Sequence, residues 1–362
     1  MKREGIYFDA RYIRVGQHDG ISRFSVGLFT ALSKLTEVTA IISDQRQLAK
    51  LPSQTKWVKL NDPTSIAEPL IAIKLNQLGA KLVFSPMQTI GSLGRKYKLI
   101  LTLHDLIYYR HPAPPPSFNL AIRILWRLYH LSYWPQRLLL NRSDMVVTVS
   151  KTTERLIRQH RLTKRPTEVI YNAAEASEAN SDIAENQPKV QDRSTLIYMG
   201  SFMPYKNVET LIETAGMTPS IELLLLSRIG ADRKDELQSL ATKVGARVRF
   251  LNGVSELEYH QLLGSALALV SASKDEGFGI PLVEAMQRGI PVVVSDIDIF
   301  REIGGEAAMF CAPEEPTEFA AAINSLGDEA DWAHKSKLAL EQAKLFSWDS
   351  SAKKLLEIID RL

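Results

Sequence analysis

The chain has 362 residues, and its apolar (45%) and charged (23%) fractions are ordinary for a globular protein. This composition excludes a disordered chain, a collagen-like chain and a coiled coil, and the length favours two domains. A single cysteine, Cys311, excludes a disulfide framework and a cysteine-rich zinc site. The first residues lack the apolar core of a signal peptide and no run approaches about 18 apolar residues, so we expect neither secretion nor a membrane span.

Basic charge is concentrated in the first half of the chain. Residues 1–172 contain 26 Lys+Arg and 11 Asp+Glu, whereas residues 173–362 contain 18 and 30. Basic surfaces attract nucleic acids, anionic lipids or anionic substrates. No nucleic-acid-binding motif accompanies these charges, so we expect no nucleic-acid partner. An anionic membrane surface is the favoured partner, with a solvated basic face as the alternative.

Short apolar runs alternate with helix-length segments along the chain. Buried strands are predicted at 5–10, 38–43, 81–85, 99–103, 145–150, 168–172, 196–200, 221–227, 248–251, 266–271 and 291–295. This alternation predicts parallel sheets covered by helices on both faces. The predicted fold is therefore α/β, with two doubly wound, Rossmann-like domains facing across an interdomain cleft.

A polar stretch without aromatic residues at 173–193 has the composition of a linker. It separates a predicted first domain, 1–172, from a second domain, 194–347. A last predicted helix covers about 348–362. Ligands of open parallel sheets bind at the carboxyl ends of the strands, so we expect functional residues to follow the predicted strands directly.

In the first domain, three short segments fit this expectation. Asp9 to Arg11 ends the first predicted strand, and Gly20 then opens a helix at 21–35 that carries Arg23. His104 and Asp105 follow the strand at 99–103, where a histidine and an acid would face the cleft. Ser150 precedes a helix at 151–160, and we interpret it as the helix N-cap.

Residues 118–142 are apolar, aromatic and basic. We expect most of this stretch to form a buried helix pair of the first domain. The alternative is contact with a membrane interface, for which tryptophan, tyrosine and arginine are suited.

The strongest segment in the second domain is Ser271 to Gly289, which lies between two apolar runs. Gly277 and Gly279 allow close approach of a ligand to the backbone. Pro281 fits the first turn of a helix, so the N–H groups of Phe278, Gly279 and Ile280 point towards an anion such as a phosphate. Glu276 and Glu284 flank that position and could bind hydroxyl groups of a sugar and a ribose. The alternative is a capped helix with a glutamate near its start.

This segment resembles the signature of retaining GT-B glycosyltransferases, in particular family 4 of sugar-nucleotide-dependent hexosyltransferases. Glu276 and Glu284, with seven residues between them, and the flanking RGIPVVVSD at 288–296 carry the resemblance. It implies that Glu276 contacts the donor sugar and Glu284 the ribose. It also implies a donor site that includes Gly277, Phe278, Gly279, Ile280 and Leu282.

The loop 200–207, GSFMPYKN, resembles the donor-diphosphate loop of the same family. The resemblance implies that Lys206 binds the diphosphate and that Ser201 and Asn207 line the site. Many relatives carry an arginine in this loop, but Ser201 and Phe202 stand there in this chain. Arg228 or Arg23 could supply the missing charge.

The family resemblance extends to the first domain. It implies that His104 contacts the donor sugar, that Asp105 and Arg23 lie on the acceptor side, and that the loop at Gly20 approaches the donor phosphate. Ser22 stands where relatives have a second glycine. The helix at 348–362 resembles the closing helix of the family, which packs back on the first domain.

The activity implied is metal-independent transfer of a hexose from a GDP- or UDP-sugar to an acceptor hydroxyl, with retained anomeric configuration. No further cofactor is expected. The Asp296-Ile297-Asp298 motif resembles the metal-binding Asp-any-Asp motif of a different transferase class, and we do not expect it to bind a metal here. Mannose is the preferred sugar, and the basic first half favours a lipid-linked or cell-surface glycan precursor as acceptor. The expected location is cytoplasmic and peripheral on the inner face of the cell membrane.

Three other functions are open at this level. A soluble transferase of storage or disaccharide metabolism would use the same donor site, and so would a nucleotide-sugar-binding protein that has lost catalysis. A dinucleotide-dependent oxidoreductase is disfavoured because no G-x-G-x-x-G motif opens a helix after a strand.

Overall fold

The computed structural model describes residues 4–16, 19–114, 120–174 and 189–362. The chain divides into two compact units. The first comprises Met1–Ala173 and Ser347–Leu362, and the second Ala174–Phe346. The last helix of the chain is therefore part of the first unit.

The first unit is built on a seven-stranded parallel sheet in the order β3-β2-β1-β4-β5-β6-β7. Its strands are β1 (Ile6–Asp9), β2 (Thr39–Ile42), β3 (Lys56–Lys59), β4 (Leu82–Ser85), β5 (Lys98–Leu103), β6 (Met145–Thr148) and β7 (Thr167–Val169). The central strands are fully buried because helices cover both faces of the sheet.

The α-helices described in the first unit are α1 (Gly20–Leu35), α2 (Ile71–Gln77), α3 (Ile107–Arg110), α4 (Leu120–His130), α5 (Trp134–Leu140) and α6 (Lys151–Gln159). The Asp19 carboxylate caps α1 by accepting a hydrogen bond from the Ser22 N–H at 2.8 Å. As predicted, Ser150 caps α6 through the Thr153 N–H.

The C-terminal helix, Trp348–Arg361, packs against α1. Gly27 makes this close approach feasible, since a Cβ atom there would lie 2.1 Å from the Trp348 ring. The Ser351 hydroxyl donates to the Tyr171 carbonyl at 2.7 Å, and Arg361 pairs with Glu168 at 2.8 Å.

The second unit has a six-stranded parallel sheet in the order β10-β9-β8-β11-β12-β13. Its strands are β8 (Thr195–Tyr198), β9 (Glu222–Leu225), β10 (Val248–Phe250), β11 (Ala268–Ser271), β12 (Val292–Ser295) and β13 (Met309–Cys311). Its described α-helices are α7 (Val208–Met217), α8 (Ala231–Val244), α9 (Glu256–Ser265), α10 (Ile280–Met286), α11 (Asp298–Gly304), α12 (Pro316–Ser325) and α13 (Glu329–Ala343), so the C-terminal helix is α14. The predicted pair of doubly wound α/β units is confirmed.

The predicted linker at 173–193 lies mostly outside the described residues, which omit 175–188. Its last residue is not linker-like. The buried Arg193 guanidinium donates to the carbonyls of Gly264 and Ala266 and lies 4.4 Å from the centre of the Trp332 ring. A buried guanidinium needs hydrogen-bond acceptors. Arg193 finds them in the second unit, so that unit begins before residue 194.

The expectation of a buried helix pair at 118–142 is wrong for the outer face. Residues 118 and 119 lie outside the described residues, and α4 and α5 form as helices. Leu120, Leu125 and Leu128 of α4 are nevertheless exposed. This stretch has more apolar residues than one buried helix face can hold, so some of them remain at the surface.

No helix within the described part of the chain is both long and apolar enough to cross a membrane.

Candidate functional site

The loop after β8 carries the predicted diphosphate-binding residues. Gly200 lies against Tyr198, and a Cβ atom at this position would be 2.7 Å from the Tyr198 hydroxyl oxygen. That hydroxyl donates to the Ser201 carbonyl at 2.5 Å. Burial raises the pKa of Tyr198 well above its ordinary value, and the nearby Glu276 carboxylate raises it further. The Tyr198 phenol therefore stays protonated and keeps its hydrogen bond to the loop at Ser201.

Asn207 fixes the end of this loop. It has a φ of 52°, a left-handed conformation that asparagine tolerates, between the 3₁₀ turn Pro204–Lys206 and α7. Its side-chain amide donates to the carbonyls of Ala272 at 3.2 Å and Pro313 at 2.6 Å. Asn207 is buried, and these bonds make it a positioning residue for the neighbouring Lys206.

Lys206 and Glu276, predicted independently from two separate loops, are brought together. The Lys206 ammonium lies 2.5 Å from the Glu276 carboxylate, with side-chain exposures of 13% and 15%. The Ser273 hydroxyl donates to the same carboxylate oxygen at 3.0 Å. Because the Lys274 N–H also donates to the Tyr205 carbonyl at 2.8 Å, the backbones of the two loops are joined. A cation and a carboxylate thus stand at the carboxyl ends of β8 and β11.

The turn into α10 contains a glycine in the left-handed conformation. Gly279 has a φ of 92° and precedes the helix, and its position leaves 3.1 Å between an added Cβ and the Phe300 ring. Phe278 is buried against Phe346, with ring centres 5.6 Å apart. Leu282 is also buried, and its N–H bonds to the Gly279 carbonyl. The structure gives Phe278 and Leu282 packing roles, and their contact with a donor stays a prediction.

Glu284 lies in α10 and is only 4% exposed. The buried Tyr259 hydroxyl donates to its carboxylate at 2.8 Å. The Arg288 guanidinium donates to the Glu284 carbonyl at 3.0 Å and lies 2.9 Å from His260 Nδ1. Sequence reasoning missed Tyr259 and Ser273 because no local signal links either residue to its glutamate.

His104 follows β5 in the first unit and is held by its surroundings. Its Nε2 is 2.8 Å from the Pro86 carbonyl, and its ring contacts Phe24 edge-on at 5.1 Å. A carbonyl oxygen only accepts, so Nε2 carries the hydrogen and Nδ1 of the neutral ring is the acceptor. Burial lowers the pKa of His104, opposed by the Pro86 hydrogen bond and the Asp105 charge. The neutral ring can therefore accept a hydrogen bond from a hydroxyl group.

The other predicted residues of the first unit surround the start of two helices. Asp105 accepts from the Ile107 N–H at 3.0 Å and so orients the loop that follows His104. Gly20 is the first residue of α1, and Arg23 is half-buried on its first turn. The buried Ser22 hydroxyl accepts from the Arg14 N–H at 3.1 Å. The serine that replaces a glycine here therefore anchors the preceding loop.

A cavity of about 150 Å³ adjoins His104. Its wall includes Asp105, Tyr108, Tyr129, His130 and Gln136, the last three from α4 and α5. The Tyr129 hydroxyl donates to the Gln136 side-chain carbonyl at 2.8 Å. The sequence did not predict this cavity, because it depends on how α4 and α5 pack over the end of β5.

The remaining charged candidates, Arg228 and Asp296, make contacts with other residues. Arg228 is exposed after β9 and lies against Gly253. Asp296 pairs with Arg301, at 2.6 Å for its second oxygen. Among the residues that the structure describes, no group of three or more His, Cys, Asp or Glu side chains could hold a metal ion.

Comparison with known proteins gives two adjacent family matches. Residues 58–178 match the Glycosyltransferase Family 4 model, and residues 180–342 match the model described as Glycosyl transferases group 1. Over 329 residues the chain is 26% identical to O-antigen chain mannosyltransferase RfbU of Salmonella typhimurium, covering 85% of this chain and 87% of that protein. It is also 26% identical over 269 residues to O-antigen chain mannosyltransferase B of Escherichia coli, covering 71% and 68%.

Solved structures share the fold over nearly the whole chain. Sucrose-phosphate synthase from Thermosynechococcus elongatus has a TM-score of 0.74 and 19% identity, covering 98% of each chain. Anabaena HepE in complex with UDP and glucose has a TM-score of 0.71 and 19% identity, covering 99% of this chain and 100% of that chain. At this level of identity the likeness concerns the fold alone.

Proposed function

We propose that this chain, a glycosyltransferase of the GT-B fold similar to family 4, transfers a hexose from a nucleotide diphosphate sugar to an acceptor hydroxyl with retention of configuration. The observation that carries the proposal is the Lys206–Glu276 pair beside the turn into α10. It supplies a cation for a diphosphate and a carboxylate for sugar hydroxyls within one loop cluster.

Each group has a role that follows from its chemistry. Negative charge develops on the departing diphosphate, and the Lys206 ammonium stabilises it. Glu276 accepts hydrogen bonds from hydroxyls of the transferred sugar. Glu284, held by Tyr259, accepts from the ribose of the nucleotide. His104, with Nδ1 as acceptor, binds a sugar hydroxyl from the first unit.

Retention by double displacement requires a carboxylate nucleophile beneath the anomeric carbon. Glu276 is assigned to sugar hydroxyls, so we propose attack on the same face as the leaving group. The acceptor oxygen bonds to the anomeric carbon as the bond to the diphosphate breaks, and a diphosphate oxygen takes the acceptor proton. Lys206 supplies the charge in this scheme, so no metal ion is required.

We propose a GDP- or UDP-sugar as donor, mannose as the preferred sugar and a lipid-linked or cell-surface glycan precursor as acceptor. The names of the two mannosyltransferase relatives support the choice of mannose and of a glycan pathway. The excess of basic residues in the first half supports a protein that works peripherally on an anionic membrane surface at the cytoplasmic side.

Thermal unfolding with a panel of nucleotide sugars tests the donor assignment. GDP-mannose at about 100 times its Kd should stabilise the protein by about 2.7 kcal/mol, which raises Tm by about 5–10 °C for a unit of this size. The Glu276→Ala variant should lose most of this shift. A panel in which no nucleotide sugar changes Tm would overturn the proposal.

Catalysis needs a second measurement. With labelled donor and a lipid-linked acceptor, wild-type protein should release nucleotide diphosphate and form a labelled glycolipid. Donor binding without product would identify a nucleotide-sugar-binding protein. Product formed only with soluble sugar acceptors would favour a transferase of storage or disaccharide metabolism.

A further inference from the structure

The helix pair α4–α5 leaves an unusual number of large apolar side chains in solvent. Leu125 is 68% exposed and Trp134 is 65% exposed. The other exposed apolar residues here are Leu120, Ile122, Ile124, Leu128, Leu131 and Leu138. Such a concentration exceeds the scattered exposed leucines that every surface carries and indicates an interaction surface.

Three of the exposed apolar side chains of α4 share one face. Leu120, Ile124 and Leu128 are spaced four residues apart, so they form a stripe along the helix. Arg123 and Arg127 repeat with the same spacing and run along one edge of this stripe. An apolar stripe edged by arginines is the pattern of a helix that lies in a membrane interface.

The opposite face of α4 is attached to the body of the first unit. Trp126 and His130 lie against each other with ring centres 4.1 Å apart, and both contact Tyr108. The Tyr129 hydroxyl bonds to Gln136 of α5. The helix is therefore held by its aromatic face, and the leucine stripe points away as a fixed feature of the fold.

Charge decides which partner suits this surface. Residues 106–143 contain five arginines and no aspartate or glutamate. A second copy of the chain packed stripe to stripe would bring arginines against arginines without compensating carboxylates, which is unfavourable. An anionic bilayer supplies both an apolar layer and negative charge. Helix α4 is about 16 Å long at 1.5 Å per residue, so it can lie in the interface but cannot span it.

We propose that the α4–α5 surface (residues 120–138) docks the protein on an anionic lipid bilayer, with Ile124 and Leu128 inserted and Arg123 and Arg127 at the headgroups. The same helices contribute Tyr129, His130 and Gln136 to the cavity beside His104. Docking therefore brings one wall of that cavity to the bilayer surface. The choice of an anionic membrane and the delivery of a lipid-linked acceptor rest on the proposed function, whereas docking through α4–α5 is independent of the donor assignment.

Sedimentation of the full chain with vesicles tests the proposal. Wild-type protein should bind vesicles of phosphatidylcholine with 30 mol% phosphatidylglycerol, less tightly at high salt, and bind pure phosphatidylcholine weakly. Arg123→Gln with Arg127→Gln should weaken binding by about thirtyfold, because each arginine near an anionic surface contributes about fivefold. Ile124→Gln with Leu128→Gln should weaken it at least tenfold.

Matched controls lie elsewhere on the molecule. Leu257→Gln removes a leucine of 69% exposure from α9, and Arg46→Gln removes an exposed arginine of the first unit. Both should bind like wild type. Equal binding of all variants, equal binding to neutral vesicles, or a lipid-free dimer that the α4 variants dissociate would overturn the proposal.

One further readout separates this proposal from the proposed function. The shift of Tm by the nucleotide sugar, and turnover of a soluble acceptor analogue, should be the same in the α4 variants and in wild type. Loss of vesicle binding with an intact donor shift supports docking whatever the acceptor is. Normal vesicle binding without any donor shift would refute the donor assignment and leave docking standing.

Discussion

Replacing Lys206 by alanine tests the central contact of the site. The ammonium is mostly shielded from solvent and lies 2.5 Å from the Glu276 carboxylate. Removing one preorganised charge-stabilising donor from such a site costs about 3–4 kcal/mol, so kcat/KM should fall by about 10²–10³-fold. Coulomb's law gives a similar size, since unit charges 4 Å apart interact by about 4 kcal/mol at an effective dielectric constant of 20.

The assay is transfer of labelled hexose under initial-rate conditions. Lys274→Ala is the matched control, because this neighbouring lysine pairs with Glu314 at a more exposed position. It should stay within about threefold of wild type, a change below about 1 kcal/mol. A Lys206→Ala enzyme within fivefold of wild type would refute the reasoning that this ammonium stabilises the leaving group.

Adding Glu276→Gln to the same experiment isolates the ion pair. Charged residues in contact show interaction energies of about 0.5–3 kcal/mol in double-mutant cycles. We expect the donor affinity of the Lys206→Ala variant to recover in part when Glu276→Gln is added, because the unpaired carboxylate no longer repels the diphosphate. Additive losses would show that Lys206 and Glu276 act on the donor separately.

Two further predictions concern the groups that hold the site. The lowered pKa of His104 means that the unfolded chain takes up a proton first as the pH falls below about 6.5, so stability falls towards acid pH. His104→Gln should reduce the drop in Tm between pH 7.5 and 5.5, while His334→Gln, at an exposed position, should not. A drop in the His104→Gln variant equal to that of wild type would contradict the lowered pKa of His104. Tyr259→Phe removes a buried hydrogen bond to a carboxylate, and it should raise the donor KM about tenfold with little change in kcat, since bonds to charged groups contribute about 1.5–3 kcal/mol. A lowered Tm with an unchanged KM would mean that Tyr259 acts in folding alone.

The sheets could be predicted from the sequence because their central strands are buried on both faces. Every predicted strand is present, with boundaries differing by a few residues. The two strands that were missed are edge strands. β3 reads KWVK, with lysines at both ends and little burial, and β13 has three residues. Edge strands pair on one side only, so their sequences carry a weaker apolar signal.

The loop residues of the candidate site could be predicted from the sequence, but the residues that hold them in place could not. Lys206 and Glu276 lie in the loops that follow β8 and β11, two neighbouring strands, so the topology brings both loops to one edge of the sheet. Their partners depend on tertiary packing. In the first unit, Arg11 follows β1, but its buried partner Glu68 lies 57 residues away and bonds at 2.7 Å. No spacing in the sequence indicates such a contact.

The apolar stretch at 118–142 shows a limit of a different kind. Leucine, tryptophan and tyrosine have the same pattern in a core helix and in an interfacial helix. What separates the two is which face finds a partner, and that is decided by the neighbouring elements. The absence of acidic residues from 106–143 is a further local feature that favours the interface, beside the tryptophans, tyrosines and arginines of the stretch.

The Lys206–Glu276 pair also bears on how the donor binds. Both groups are partly buried, and each would pay a desolvation penalty if it stood alone. In the structure each group pairs with the other, and the Ser273 hydroxyl donates a second hydrogen bond to the carboxylate. Under the proposed function, a diphosphate bound to Lys206 would free Glu276 for the sugar hydroxyls of the same ligand, so one ligand would replace both partners. A nucleotide diphosphate without a sugar would leave the Glu276 carboxylate without those hydroxyls. We therefore expect this chain to bind a nucleotide sugar more tightly than the corresponding nucleotide diphosphate. Calorimetry with GDP-mannose and with GDP measures the difference.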